Sequence, residues 1–144
     1  MQESIVSVES SKEWFDRVTS RLAERKLTNV DSHLFPVEET TTGEARSAYI
    51  NADPTLAAGS LNYALVDGLF RDACALRAVG LLKLGGVFIL DNANWFIPHF
   101  TKSPDTVKRY RTQLWQEFAH RVADWRMIWT SNGVWDTAIW IKTT

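Results

Sequence analysis

The sequence predicts an α/β domain: a Rossmann-like, mostly parallel sheet with helices on both faces, closed by an antiparallel C-terminal hairpin. Three observations carry this. Residues 61–92, LNYALVDGLFRDACALRAVGLLKLGGVFILDN, read as strand, helix and strand, a unit of about 30 residues, the length a parallel crossover needs. The same order precedes it over residues 4–35, and repeated alternation marks a parallel sheet. Near the end of the chain, Asn132-Gly133 separates two aromatic and β-branched runs, a hairpin signal.

In the central unit, the apolar run Leu61 to Val66 ends in Asp67-Gly68. A helix follows and closes on Lys83-Leu84-Gly85-Gly86. The second run, Val87 to Leu90, ends in Asp91-Asn92. Continuous apolar runs suit strands covered on both faces. Ligands of open α/β sheets sit outside the carboxyl ends of the strands, so Asp67, Asp91 and Asn92 are expected on one rim.

The first strand is read over Ser4 to Val8, ending at Glu9. Ser10-Ser11-Lys12-Glu13 reads as a capping box for a helix running to about Lys26. Trp14, Val18 and Leu22 recur every fourth residue and predict a buried stripe. Val30 to Phe35 is a strand halted at Pro36. Residues 37–43 read as an exposed loop and 44–50 as a short helix. Ala93 to Phe100 is an aromatic loop beyond the rim. Ser103-Pro104-Asp105 opens a predicted helix whose inner face is Val107, Tyr110, Leu114, Phe118 and Val122. Arg126 to Thr130 and Val134 to Lys142 are the hairpin strands. Trp115, Trp125, Trp129, Trp135 and Trp140 read as packing between that helix and the hairpin.

A length of 144 residues indicates one domain, 1–144. A net charge of −1 argues against a nucleic-acid partner. The lone Cys74 excludes an internal disulfide, reads as a small buried hydrophobe, and suits a reducing, cytoplasmic compartment. Met1-Gln2-Glu3 is not a basic leader segment. The apolar runs are too short to cross a membrane, so no membrane partner is expected.

VDG at 66–68, LLKLGG at 81–86 and a strand ending in Asp91-Asn92 resemble the fourth strand, helix and fifth strand of class I S-adenosylmethionine (SAM) methyltransferases. The family usually has LLKPGG, so Leu84 departs from it. The terminal hairpin fits as well, and the resemblance covers nearly the whole chain, starting at the family's second strand. It implies SAM-dependent methyl transfer, with a small-molecule acceptor as partner and O-methylation as the reaction. Glu9, Asp67 and Gly68 are then the cofactor-binding candidates, Glu9 through the ribose hydroxyls. A plainer reading of Glu9 is an acid beside a helix N-terminus.

Catechol and caffeoyl-CoA O-methyltransferases place a metal at positions that match Asp67, Asp91 and Asn92. The resemblance therefore offers Mg²⁺ as a second cofactor, in a role that lowers a hydroxyl pKa. The plainer reading is that these residues only end strands and cap the next helix. Those enzymes carry Lys where this chain has Phe70, with Arg71 next, and Arg is a poor base. Asp67 and His99 are the catalytic candidates, His99 as a base in the rim loop. Trp95 and Phe96 are candidate walls of an acceptor pocket. Lys102, Lys108, Arg109 and Arg111 read as a solvated helix face.

The family opens on a strand followed by a glycine-rich loop. The glycines here lie at 43, 59, 68, 80, 85, 86 and 133, with no cluster before Ile5. Absence of that first, central strand predicts unpaired edges on the strands that would flank it. Three ways to cover them follow: a homo-oligomer, a partner supplying the strand, or direct pairing of residues 4–8 with 61–66. The competing function is a degenerate, non-catalytic binding or interaction module of the same fold.

Overall fold

Alternating strands and helices form as the patterning requires. The computed structural model describes residues 3–144, and the Met1-Gln2 part of the segment read for a leader lies outside them. The chain divides into two compact units, residues 1–55 and residues 56–144, each described by itself.

In the first unit, β1 (Ile5–Glu9) runs parallel to β2 (Val30–Leu34), in register from Ile5 opposite Val30 to Glu9 opposite Leu34. Helix α1 (Lys12–Glu24) connects them and α2 (Gly43–Ile50) follows. The cap of α1 is Ser11 rather than Ser10: its hydroxyl accepts from the Trp14 amide at 3.4 Å. The reason lies one residue earlier. Glu9 Oε1 accepts from both Ser10 and Ser11 amides, at 2.7 and 2.8 Å, and sets the turn. The expected buried stripe is not buried. Trp14 and Val18 are 54% and 40% exposed, and no residue of α1 is fully buried.

The second unit holds a four-stranded sheet in the order β3-β4-β6-β5. Strand β3 (Leu61–Val66) is parallel to β4 (Leu82–Leu90), with α3 (Arg71–Leu81) as the crossover. Strands β5 (Arg126–Ser131) and β6 (Asp136–Ile141) form the antiparallel hairpin, and β6 pairs antiparallel with β4. Residues 83–86, expected to close the helix, belong to β4. Gly86 is required there, because a Cβ would lie 2.8 Å from the Lys83 carbonyl oxygen.

Register explains the core. Val66, Leu90, Ala138 and Trp129 pair across the sheet in one row, and the first three are buried in the core. Phe88 and Trp140 extend this face, where Phe118 packs 5.3 Å from Phe88 and 5.2 Å from Trp140. The neighbouring row points to the opposite face: Leu65, Ile89, Ile139 and Ile128. Leu65 and Ile128 are 60% and 46% exposed. Among the described residues β1 and β3 fall in separate sheets, each at an edge of its own, in place of the direct pairing of residues 4–8 with 61–66.

The helix expected from Ser103 begins nine positions beyond Pro104, as α4 (Gln113–Arg121). Residues 103–112 are instead irregular, and their polar groups are engaged elsewhere. Ser103 Oγ donates to Asp136, Thr106 Oγ1 donates to the Ser103 carbonyl, and Asp105 sits at φ +59°. Thr112 caps α4, accepting from the Trp115 amide at 3.2 Å. Lys102, Lys108, Arg109 and Arg111 are thus exposed loop residues, not a helix face.

Candidate functional site

Strand ends β3 and β4 are gathered by one side chain, Arg71, at the first position of α3. The preceding Phe70 takes a left-handed φ of +48°, which turns the chain sharply from strand to helix. The guanidinium then reaches both strand ends. Its Nε donates to the Gly68 carbonyl at 2.9 Å, and its Nη2 donates to the Asp67 carbonyl at 2.9 Å and Asp67 Oδ1 at 3.1 Å. Its Nη1 donates to the Asp91 carbonyl at 2.6 Å and Asn92 Oδ1 at 3.1 Å. Phe96 lies under the guanidinium at 5.2 Å from its ring centre. Arg71 is only 14% exposed. Five planar donors make such a fan possible for Arg and not for Lys.

The three rim residues therefore meet at a cation rather than around an open centre. Asp67 Oδ1 and Asn92 Oδ1 face Arg71, while Asp91 Oδ1 accepts from Thr137 Oγ1 at 3.1 Å. Among the described residues, no group of three or more His, Cys, Asp or Glu is placed to hold a metal ion. A positive guanidinium on two of the three proposed ligands does not fit a divalent cation at the same atoms.

His99 is not joined to this rim by any hydrogen bond. Its ring stacks flat on Trp129, with centroids 3.9 Å apart and 6° between planes, and its Nδ1 is buried without a partner among the described residues. Trp95 packs T-shaped against Trp135 at 5.2 Å, and Phe96 lies 5.4 Å from Trp115. Both sites read from sequence as acceptor walls are thus engaged in packing. Trp135, read as packing, is 46% exposed. Glu9 lies in the first unit; its Oε1 is committed to two amides and its Oε2 to none.

Sequence reasoning missed two groups. Arg71 was weighed only as a base; the signal for its structural role is its position four residues after Asp67, on the helix that follows. The second is Asp136, fully buried at the start of β6. Burial would raise its pKa, but hydrogen bonds from Ser103, Ser131, Thr101 and Trp129 outweigh that and hold it below the ordinary carboxylate value. Ser103 Oγ is 2.5 Å and Trp129 Nε1 2.9 Å from its two oxygens. Asn94, also fully buried, accepts from the Asp136 amide and donates to the Pro104 carbonyl. No sequence signal distinguishes Asp136 from a strand-end acid.

Beside the rim, an open cleft of about 450 Å³ is lined by Asp91, Asn92, Thr130, Ser131, Asn132, Trp135 and Thr137. It lies wholly in the second unit.

No family model and no curated protein matches the sequence. Solved structures do match in fold. A protein of Corynebacterium glutamicum superposes with a TM-score of 0.58 at 14% identity, over 98% of this chain and 61% of its own. The O-methyltransferase TomG of Streptomyces achromogenes, involved in tomaymycin synthesis and solved with SAM, gives 0.55 at 18% identity. That match covers 96% of this chain and 62% of TomG. An rRNA methylase of Streptococcus thermophilus gives 0.55 at 9% identity, over 98% of this chain and 74% of its own. The chain thus has a methyltransferase-type α/β fold, and it spans less than two thirds of the length of the C. glutamicum protein and of TomG. No helix among the described residues is long and apolar enough to cross a membrane.

Proposed function

We propose that the chain is a SAM-dependent methyltransferase-like protein, or the C-terminal part of such an enzyme, that acts on a hydroxyl of a small molecule. The observation that carries this reading is the joining of both strand ends by Arg71, which fixes a rim where such folds bind ligands. TomG, an O-methyltransferase bound to SAM, shares the fold. When bound, SAM supplies the methyl group on a sulfonium. Glu9 would take its ribose through the free Oε2, oriented by the two amides on Oε1. Asp67 and Gly68 are the cofactor-side positions of the second unit. The residues of this chain contribute positioning, by which rigid placement of reactants lowers a barrier. Mg²⁺ has no part in this reading, since Arg71 neutralises the rim that a metal would.

One specific observation favours a second reading, a non-catalytic binding or interaction module. Of the seven glycines only Gly85 and Gly86 are adjacent, and they lie inside β4 rather than in a loop that could bring backbone amides onto the cofactor. A homo-oligomer or a partner strand covering the free edges of β1 and β3 is compatible with either reading.

Titration of SAM into the protein, with light scattering on the same sample, separates these. Binding weaker than micromolar, lost in Glu9→Ala, and an assembly larger than one chain are expected. Micromolar or tighter affinity would mean a cofactor site rebuilt without glycines. Weak binding indifferent to Glu9→Ala would favour the interaction module.

A further inference from the structure

The cleft beside Asp91 has a composition that selects among acceptors. Asp91 is its one ionisable lining residue; the others are Asn92, Thr130, Ser131, Asn132, Trp135 and Thr137. Arg71, which donates to the Asp91 carbonyl and Asn92 Oδ1, is shared among five acceptors and largely covered. An acceptor carrying a carboxylate or phosphate would meet the Asp91 carboxylate, while the Arg71 donors that could offset it are already taken by protein oxygens, so like charge acts as a modest selector.

The hydrogen-bonding capacity that remains is specific. Asp91 Oδ1 is taken by Thr137, Asn92 Oδ1 by Arg71, and Asn132 Oδ1 by the Val134 and Trp135 amides. Among the described residues no hydrogen bond engages Asp91 Oδ2 or the amide NH₂ groups of Asn92 and Asn132. One acceptor and two donors are left, and a hydroxyl, which donates and accepts, can satisfy both kinds. The half-exposed Trp135 adds an apolar surface for a ring.

The wall is also held in place. Ser131 Oγ accepts from the Gly133 amide at 3.0 Å and lies 2.9 Å from Ser103 Oγ, which is bonded to buried Asp136. Asn132 Oδ1 closes the turn. Its volume lies within the roughly 300–1,000 Å³ of small-molecule sites, but its lining is polar where theirs is mostly apolar, which suits a polar ligand.

We propose that this cleft binds an uncharged, hydroxyl-bearing ring, stacked on Trp135 and hydrogen-bonded by Asp91 and Asn132. The proposal rests on the methyltransferase reading for its biological sense, but its test needs no cofactor. The full chain is titrated with 4-hydroxybenzyl alcohol and, separately, with 4-hydroxybenzoate, followed by NMR of the indole and side-chain amide signals. The alcohol should bind and shift the Trp135 and Asn132 signals. The benzoate should bind about fivefold more weakly, the cost of one like charge near contact in water. Asp91→Asn should erase that difference. Trp135→Ala should abolish binding of both, and Trp135→Phe, which keeps a ring against Trp95, should retain it. The idea is overturned by equal or tighter binding of the benzoate, by Trp135→Ala binding normally, or by no binding of the alcohol up to its solubility. Probe binding without any methyl transfer would count against the methyltransferase reading alone. Transfer to an acceptor that bypasses this cleft would count against the cleft alone.

Discussion

Helices α1 and α4 are built by the same local rules and end in opposite environments. Each is capped by a hydroxyl that accepts from a Trp amide three residues on: Ser11 from Trp14, Thr112 from Trp115. Each carries an apolar stripe at helical spacing. Trp115 is 3% exposed and Phe118 fully buried, whereas Trp14 is 54% exposed. Amphipathic spacing specifies a helix and the side it would bury. It does not specify that an apolar surface waits for that side, because burial depends on distant residues. In the second unit, β4 and β6 supply Phe88 and Trp140 at the right register. Among the described residues of the first unit, only Val37 and Tyr49 are buried apolar residues.

The comparison predicts its own largest effect. Phe118→Ala should destabilise the second unit by about 3–5 kcal/mol, the usual cost of emptying a packed aromatic site. Trp14→Ala should change stability by no more than about 1 kcal/mol, the most its exposed contact with Arg17 contributes. Urea unfolding followed by circular dichroism measures both. A loss above 2 kcal/mol, in round terms about four times the surface norm, for Trp14→Ala would mean that α1 is covered in solution.

The two units also differ in how they hold a cation. Arg17 lies 4.5 Å from the exposed Trp14 ring, a contact that stabilises by about 0.5–1 kcal/mol at such sites. Arg71 satisfies three carbonyls and two side-chain oxygens at once. Arg71→Met should therefore cost about 2–3 kcal/mol, since hydrogen bonds to a charged group are the stronger kind and their partners are left unpaired. Arg71→Lys should recover little, because an ammonium cannot span both strand ends. Arg17→Met should cost no more than about 1 kcal/mol. Equal effects from the two Met variants in the same urea titration would dissolve the distinction.

The parts legible in the sequence are those set by short-range pattern. The strand at 61–66, the strand read over 126–130 and found one residue longer, the Asn132-Gly133 turn and the crossover helix α3 follow from runs, turn residues and spacing. So does the rim: Asp67, Asp91 and Asn92 end neighbouring strands because a crossover brings them there. What was not legible depends on partners far away in sequence. Pro104 suggested a helix start, but Ser103 is bound to Asp136, 33 residues on, and the helix waits for Thr112. Trp95 and Phe96 looked free to receive a ligand, but Trp135 and Trp115 occupy them. Arg71 is visible as a charge in the sequence, while its five acceptors are visible only once two strands are side by side.

Acids give the finest contrast between the units. Asp16 pairs with Lys12 at 2.6 Å, both more than half exposed, and such pairs contribute little. Asp136 is fully buried, with its folded-state pKa lowered because its hydrogen bonds outweigh the desolvation that burial imposes. A carboxyl whose folded pKa lies below its unfolded value, about 3.9 for Asp, stabilises the fold at every pH above that value. The contribution falls away as pH drops through the folded pKa. Stability of the second unit should thus decline on acidification below about pH 4. Asp136→Asn should lower stability at neutral pH and flatten that decline, because Asn keeps the shape but has no proton to take up. Asp16→Asn should leave the acid limb as it is. Urea midpoints at several pH values between neutrality and the acid limb, for the two variants and the parent, read this directly. An acid limb equally steep with and without Asp136 would place the acid-sensitive group elsewhere in the chain.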